Sequence, residues 1–210
     1  MRLIPARNKK GHFNIYKEDE FLGRVPQKLV PAESFLCLDN FCSDEFESVV
    51  KKWVFNNAQN RLLNYLAKAE RTIFDCKNYL RRWGIPEAVM MTAINEAKNK
   101  KWVCDERYAE MYVQDCLLTG KSPTEAKYAL LQKEIFPEIV NDVIDKVFSK
   151  ETKNDLLDNL IEKLLPRYAE LKPEKQFEKI ATTLYRKGFE YGEYESRLRE
   201  KIKSIAFGDG

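Results

Sequence analysis

Histidine is almost absent from this chain: His12 is the single imidazole among 210 residues. Without a second one, paired general bases and histidine-rich metal sites have no material to be built from. His12 itself reads as a surface residue in a peripheral region. Five cysteines occur, Cys37, Cys42, Cys76, Cys104 and Cys116, an odd number with no C-x-x-C spacing. That usage fits reduced, unpaired thiols better than a disulfide framework or a structural metal. No G-x-x-x-x-G-K-[ST] and no G-x-G-x-x-G is present, so no nucleotide-phosphate loop is written into the chain. No apolar run approaches the ~18 residues of a membrane span. Met1 to Lys10 lacks the apolar core of a signal peptide. These absences lead to the expectation of a cytoplasmic protein with no metal, no cofactor, no membrane contact and no enzymatic activity.

What is present is apolar and charged residue in ordinary helical-protein proportion, 44% and 33%. The net charge of +3 hides an uneven spread. Residues 61–102 hold nine basic and four acidic side chains, whereas residues 103–170 hold nine and fourteen. Residues 1–60 and 171–210 are weakly basic, at +1 and +2. An acidic middle between basic ends can steer basic and acidic partners to different places.

Three segments nearly repeat one another: Leu80-Arg-Arg-Trp-Gly-Ile85, Leu130-Leu-Gln-Lys-Glu-Ile135 and Leu184-Tyr-Arg-Lys-Gly-Phe189. Each reads as a helix end, with Gly84 and Gly188 where positive φ is needed and Glu134 in their place in the middle copy. An apolar pair follows each: Val89 and Ile94, Ile139 and Ile144, Tyr194 and Leu198. Such a repeat predicts a copied helical module and a binding surface made from its copies.

Start signals agree with that reading. Thr72 with Asp75 forms a capping pair, and Ser122-Pro-Thr-Glu125 a full capping box. Pro86, Pro137 and Pro173 sit where helices begin. Asp105, Glu106 and Glu110 belong to a helix start, with Asp105 capping it, rather than to catalysis. Ser43 caps an earlier helix whose stripe includes Val50, Trp53 and Val54. Before it, Phe13, Ile15, Phe21 and Val25 alternate around a polar tip, which predicts a two-stranded hairpin that leans on the first helices. The expected fold is mainly α: three tandem three-helix repeats in an elongated, curved array with a small N-terminal β-hairpin segment. The expected divisions are 1–56 (short strands then a helix), 57–102, 103–150 and 151–210.

Basic residues recur at matching repeat positions. Lys77 and Arg81 share a helix face, Arg82 adjoins them, and Lys98 and Lys101 end the next helix. Lys121 and Lys127 flank the capping box of the second copy; Arg186, Lys187, Arg197 and Lys201 belong to the third. With Trp83 as the stacking candidate, these residues form the expected partner- or DNA-binding set. Tyr108 and Tyr112, four residues apart, read as core.

Cys104-Asp-Glu-Arg-Tyr-Ala-Glu-Met-Tyr-Val113 resembles the D-x-x-[FY]-A-x-x-[FY]-V box of the RecX family of recombination regulators. Gly120-Lys-Ser-Pro-Thr-Glu-Ala-Lys127 is similar to that family's G-x-x-[GS]-P-x-x-[IA] step, and Ala67-Lys-Ala-Glu-Arg-Thr72 to the pattern before a helix that here ends in Leu80-Arg-Arg-Trp-Gly84. The likeness runs over about residues 57–203, with Glu134 and the acidic middle copy as departures. The resemblance implies a non-enzymatic, monomeric protein that binds RecA filaments and inhibits RecA ATPase and strand exchange. It places the protein in DNA repair and the SOS response, with single- or double-stranded DNA as a further partner. A helical DNA-binding module acting without RecA is the alternative.

Overall fold

The computed structural model describes residues 2–30 and 44–208. Three strands come first: β1 (Arg2–Pro5), β2 (His12–Lys17) and β3 (Glu20–Pro26). Among the described residues, nine α-helices follow: α1 (Asp44–Leu66), α2 (Ile73–Arg82), α3 (Glu87–Asn99), α4 (Asp105–Leu118), α5 (Pro123–Leu131), α6 (Pro137–Val147), α7 (Lys150–Leu164), α8 (Pro173–Arg186) and α9 (Tyr191–Gly208). The mainly helical fold class is as expected. Pro31, Ser43, Cys37 and Cys42 lie outside the described residues.

The expected hairpin is β2 and β3, but β1 joins it to make an antiparallel sheet in the order β1-β2-β3. Leu3 pairs with Ile15, and Ile15 with Gly23. The addition has a physical reason, since a two-stranded ribbon is marginal alone and a third strand supports it. One face of the sheet buries Ile15 and Val25 completely, together with Val50, Val54 and Ala58 of α1. A Cβ at Gly23 would lie 2.7 Å from a Val54 methyl, so glycine allows β3 this close to α1. The helix runs unbroken from Asp44 to Leu66, straight across the expected division at 56/57.

The chain forms two compact units, Met1–Asp105 and Glu106–Gly210. The core of the first continues through Leu62, Cys76, Leu80, Met90 and Ile94. That of the second gathers Val113, Leu130, Val140, Ile161, Leu184 and Leu198.

The three repeated segments are three copies of one Schellman cap. Gly84 N–H donates to Arg81 C=O (3.0 Å) and Ile85 N–H to Leu80 C=O (3.3 Å). Glu134 and Ile135 bond back to Leu131 and Leu130 (3.0 and 3.4 Å), and Gly188 and Phe189 to Tyr185 and Leu184 (2.8 and 3.1 Å). The apolar ends of each cap are buried: Leu80 with Ile85, Leu130 with Ile135, Leu184 with Phe189. Glu134 adopts φ +55°, so the middle copy keeps the left-handed turn without glycine. The buried position after each cap is Met90, Val140 and Tyr194. Of the apolar pairs noted in sequence, Ile94, Tyr194 and Leu198 are buried, while Val89, Ile139 and Ile144 are half-buried and pack against the cores.

Thr72 accepts the Asp75 N–H at 3.1 Å, as its spacing predicts. Ser122 accepts from Glu125 N–H (3.1 Å) while Glu125 accepts from Ser122 N–H (2.9 Å), completing the capping box. The Asp105 carboxylate also reaches another helix: it accepts Ile73 N–H at 2.9 Å, at the start of α2. That N–H is one of the donors a helix start leaves unpaired.

Candidate functional site

In the first unit, side chains far apart in sequence meet around Trp83. The stripe Asn57, Arg61, Tyr65 lies along α1 at steps of four residues. Tyr79 and Trp83 lie four apart at the end of α2. The β1–β2 loop, Ala6-Arg-Asn-Lys-Lys-Gly11, brings a third component. It is closed on itself by Lys9 N–H to Ala6 C=O (3.2 Å) and His12 N–H to Lys9 C=O (3.1 Å).

Two cations lie over the Trp83 indole: the Arg61 guanidinium carbon 3.4 Å from the ring centroid and the Lys9 ammonium 4.0 Å away. The His12 ring is 5.6 Å from Trp83 and tilted against it. Tyr79 meets Trp83 edge-on at 6.4 Å, and Tyr65 stacks flat on Tyr79 at 4.2 Å. Arg71 closes the row, its guanidinium 4.7 Å from the Tyr65 centroid. Its buried Nε has no hydrogen-bond partner among the described residues. Each cation over a ring contributes about 0.5–2 kcal/mol, depending on desolvation.

Buried Asn57 fixes Arg61. Its amide donates to the Arg24 carbonyl of β3 (2.9 Å), and its oxygen accepts from Arg61 Nε (3.0 Å). Burial lowers the Arg61 pKa below its ordinary value; hydrogen bonding and charge from Tyr79 partly oppose that. Among the described residues, no carboxylate pairs with Lys9, Arg61 or Arg71. The result is a half-exposed row of aromatic faces and unneutralised cations, which suits stacking together with phosphate contact.

Of the residues singled out from sequence, Trp83 stands at the centre of this row. Its indole already carries Arg61 and Lys9. Lys77 is half-buried, while Arg82, Lys98 and Lys101 are exposed. Arg81 hydrogen-bonds Asn78 at 3.0 Å and reaches Glu87 at 3.4 Å.

In the second unit, Lys127 and Arg186 are exposed, and Lys121 lies over the Tyr112 ring at 5.6 Å. Tyr108 and Tyr112 pack against the second core half-buried, their rings stacked 6.1 Å apart. Lys187 is half-buried and donates to Gly120 C=O at 3.4 Å. Arg197 pairs with Asp158 (2.7 Å), and Lys201 with Glu162 (2.6 Å) and Asp158 (3.8 Å). The structure thus gathers Trp83 with residues outside the expected set: Lys9, His12, Arg61, Tyr65, Arg71 and Tyr79. The basic run Arg7, Lys9, Lys10 was the available signal for the loop. His12 is not peripheral; it is half-buried in the cluster.

Among the described residues, no group of three or more His, Cys, Asp or Glu side chains could hold a metal ion, and no helix is long and apolar enough to cross a membrane.

No family model matches the chain. It is similar to curated proteins named regulatory protein RecX. That of Streptococcus gordonii is 31% identical over 140 residues, covering 66% of this chain and 53% of that protein. That of Limosilactobacillus reuteri is 25% identical over 193 residues, covering 91% and 73%. The match thus spans about half the length of the first of these relatives. A crystal structure of regulatory protein RecX shares the fold with a TM-score of 0.68 at 24% identity, covering 95% of this chain and 97% of that one. A crystal structure of RecX from Lactobacillus salivarius gives 0.65 at 27% identity, covering 71% and 97%.

Proposed function

We propose that this chain, which belongs to the RecX family, binds the RecA recombinase filament and inhibits its ATPase and strand exchange without catalysing a reaction itself. The observation that carries this reading is the similarity to proteins named regulatory protein RecX, one match reaching over 91% of the chain. It acts as a monomer in the cytoplasm, in recombination and repair. The threefold frame 57–102, 103–150 and 151–210 is the proposed unit of contact along a filament. Recognition is electrostatic in part: the basic set beginning at Lys77 meets DNA or acidic surface, and the acidic stretch 103–170 meets basic recombinase surface.

Asp142 and Asp145 are exposed on α6. Reversing both to lysine weakens binding to RecA filaments while helicity by circular dichroism stays unchanged; full affinity in a folded variant sinks the acidic-face part of the reading. The second reading, a DNA-binding module independent of RecA, is favoured by the cation-aromatic row around Trp83. Affinity for bare single-stranded DNA and for RecA-coated DNA, measured side by side, separates them. The regulator reading requires tighter binding to the coated strand; equal binding to both favours the module.

A further inference from the structure

His12 is placed where its protonation matters. Its Nδ1 faces the Lys10 carbonyl at 3.2 Å, a group that only accepts, so this nitrogen carries the hydrogen. Its Nε2 lies 2.8 Å from Arg61 Nη2, which only donates, so Nε2 is the acceptor. The network thereby assigns the neutral Nδ1–H tautomer. A proton added at Nε2 would set donor against donor and cation against cation.

The groups around this ring are Lys9 and Lys10 from the loop, Arg61 from α1, and Tyr79 and Trp83 from α2. Among the described residues, none of the contacts of Lys9, His12 or Arg61 is with a carboxylate. An anion entering between His12 and Arg61 would accept from both, with Lys9 as a third positive group. A phosphate suits this arrangement: its oxygens take the guanidinium fork and the ammonium together. The adjoining Tyr65–Tyr79–Trp83 row gives bases a surface beside it.

We propose that Lys9, His12 and Arg61, gathered over Trp83, form a proton-linked phosphate site that takes the backbone of single-stranded nucleic acid. Binding of the phosphate takes up a proton at His12, so affinity rises as pH falls. The site stands independently of the regulation of RecA, because it is tested on bare oligonucleotide.

The test is fluorescence anisotropy of a labelled oligo-dT with the full chain, from about pH 8 to about pH 5.5, which spans histidine titration. Affinity tightens about tenfold over that range. His12→Gln retains an acceptor for Arg61 and a donor for Lys10 but has no proton to gain, so it loses the pH dependence. Lys9→Gln weakens binding at every pH and lowers the salt slope by about 0.7, as for one phosphate contact on a single strand. Lys163→Gln, an exposed lysine of the second unit, changes neither. Inorganic phosphate competes with the oligonucleotide, more effectively at the acid end. A flat wild-type profile, or a His12→Gln profile like that of wild type, overturns the proposal. So does Lys9→Gln binding at wild-type strength, or displacement by polyglutamate as effective as by phosphate, which would assign the cluster to an acidic protein surface.

Discussion

The two units hold the same number of basic residues, eighteen each, yet use them differently. The first has thirteen acidic residues and the second twenty. In the second unit, Lys146, Lys153, Arg197 and Lys201 face Glu110, Glu193, Asp158 and Glu162 across helices. In the first, Lys9, Arg61 and Arg71 face aromatic rings instead. A cation over a ring keeps its full charge and some of its donors, whereas one held by a carboxylate has spent both. Ion pairs occur in both units, with Arg2, Lys17, Lys51 and Arg81 paired in the first, so the difference is local: around Trp83 the cations face rings, whereas between helices of the second unit Lys146, Lys153, Arg197 and Lys201 face carboxylates. The repeat supplies the scaffold for both, and divergence in what faces each cation sets them apart.

The scaffold comparison can be broken at the glycine caps, where the effects are largest. Gly188 has φ +86°, and a Cβ there would lie 2.7 Å from Thr124 Cβ. Gly188→Ala should destabilise the second unit by about 3 kcal/mol, combining left-handed strain with overpacking. Gly84 has φ +68°, but its Cβ would meet the flexible Arg24 side chain at 3.3 Å. Gly84→Ala should cost only about 1 kcal/mol. Urea unfolding of both variants checks the difference, and equal losses would deny that the caps are packed differently.

The next contrast is between two helix starts. Ser122 accepts from Glu125 N–H and donates to Lys187 C=O, tying the α5 start to the end of α8. Thr72 accepts from Asp75 N–H. Ser122→Ala should cost about 2 kcal/mol and Thr72→Ala about 1, measured in the same way. A smaller and opposite effect is expected at Glu134, where the middle copy holds a side chain at φ +55°. Glu134→Gly should stabilise by about 1 kcal/mol; a loss instead would give the Glu134 side chain a stabilising role.

The smallest contrast is in acid. Glu47 is held at 2.6 Å by Lys17 of β2 and at 2.7 Å by Lys51, and its pKa falls to about 2 through those hydrogen bonds. A carboxylate depressed in the folded state contributes stability above its unfolded pKa and loses it as pH falls through the folded one. The contribution should therefore be complete above about pH 4.5 and fade toward about pH 2. Thermal unfolding of Glu47→Gln should show a shallower dependence in that window than the wild type.

The caps were legible in sequence because they are local: a Schellman turn and a capping box each fit within about six residues. The first buried position after the cap falls one residue beyond the apolar residue noted in sequence, Met90 after Val89 and Val140 after Ile139, because neighbouring residues on a helix differ by only about 100°. Strand β1 escaped because four residues, Arg2 to Pro5, give too little alternation to read. Of the cluster at Trp83, only Trp83 itself and the basic run Arg7, Lys9, Lys10 left a mark in sequence. Residues 9, 12, 61 and 83 share no spacing, and only docking of the sheet and its loop on α1 and α2 brings them together. The basic residues at matching repeat positions were easy to find, but their partners were not. Whether a lysine faces a carboxylate, a ring or solvent is decided by tertiary contact.

One titration tests the regulation of RecA. Single-stranded-DNA-dependent ATP hydrolysis by the cognate RecA is followed while this chain is added. The account predicts a saturable fall in hydrolysis at chain concentrations below those of RecA, as expected of a ligand that acts on a filament. Hydrolysis that stays unchanged through equimolar addition, with the chain folded and the DNA in excess, would contradict it.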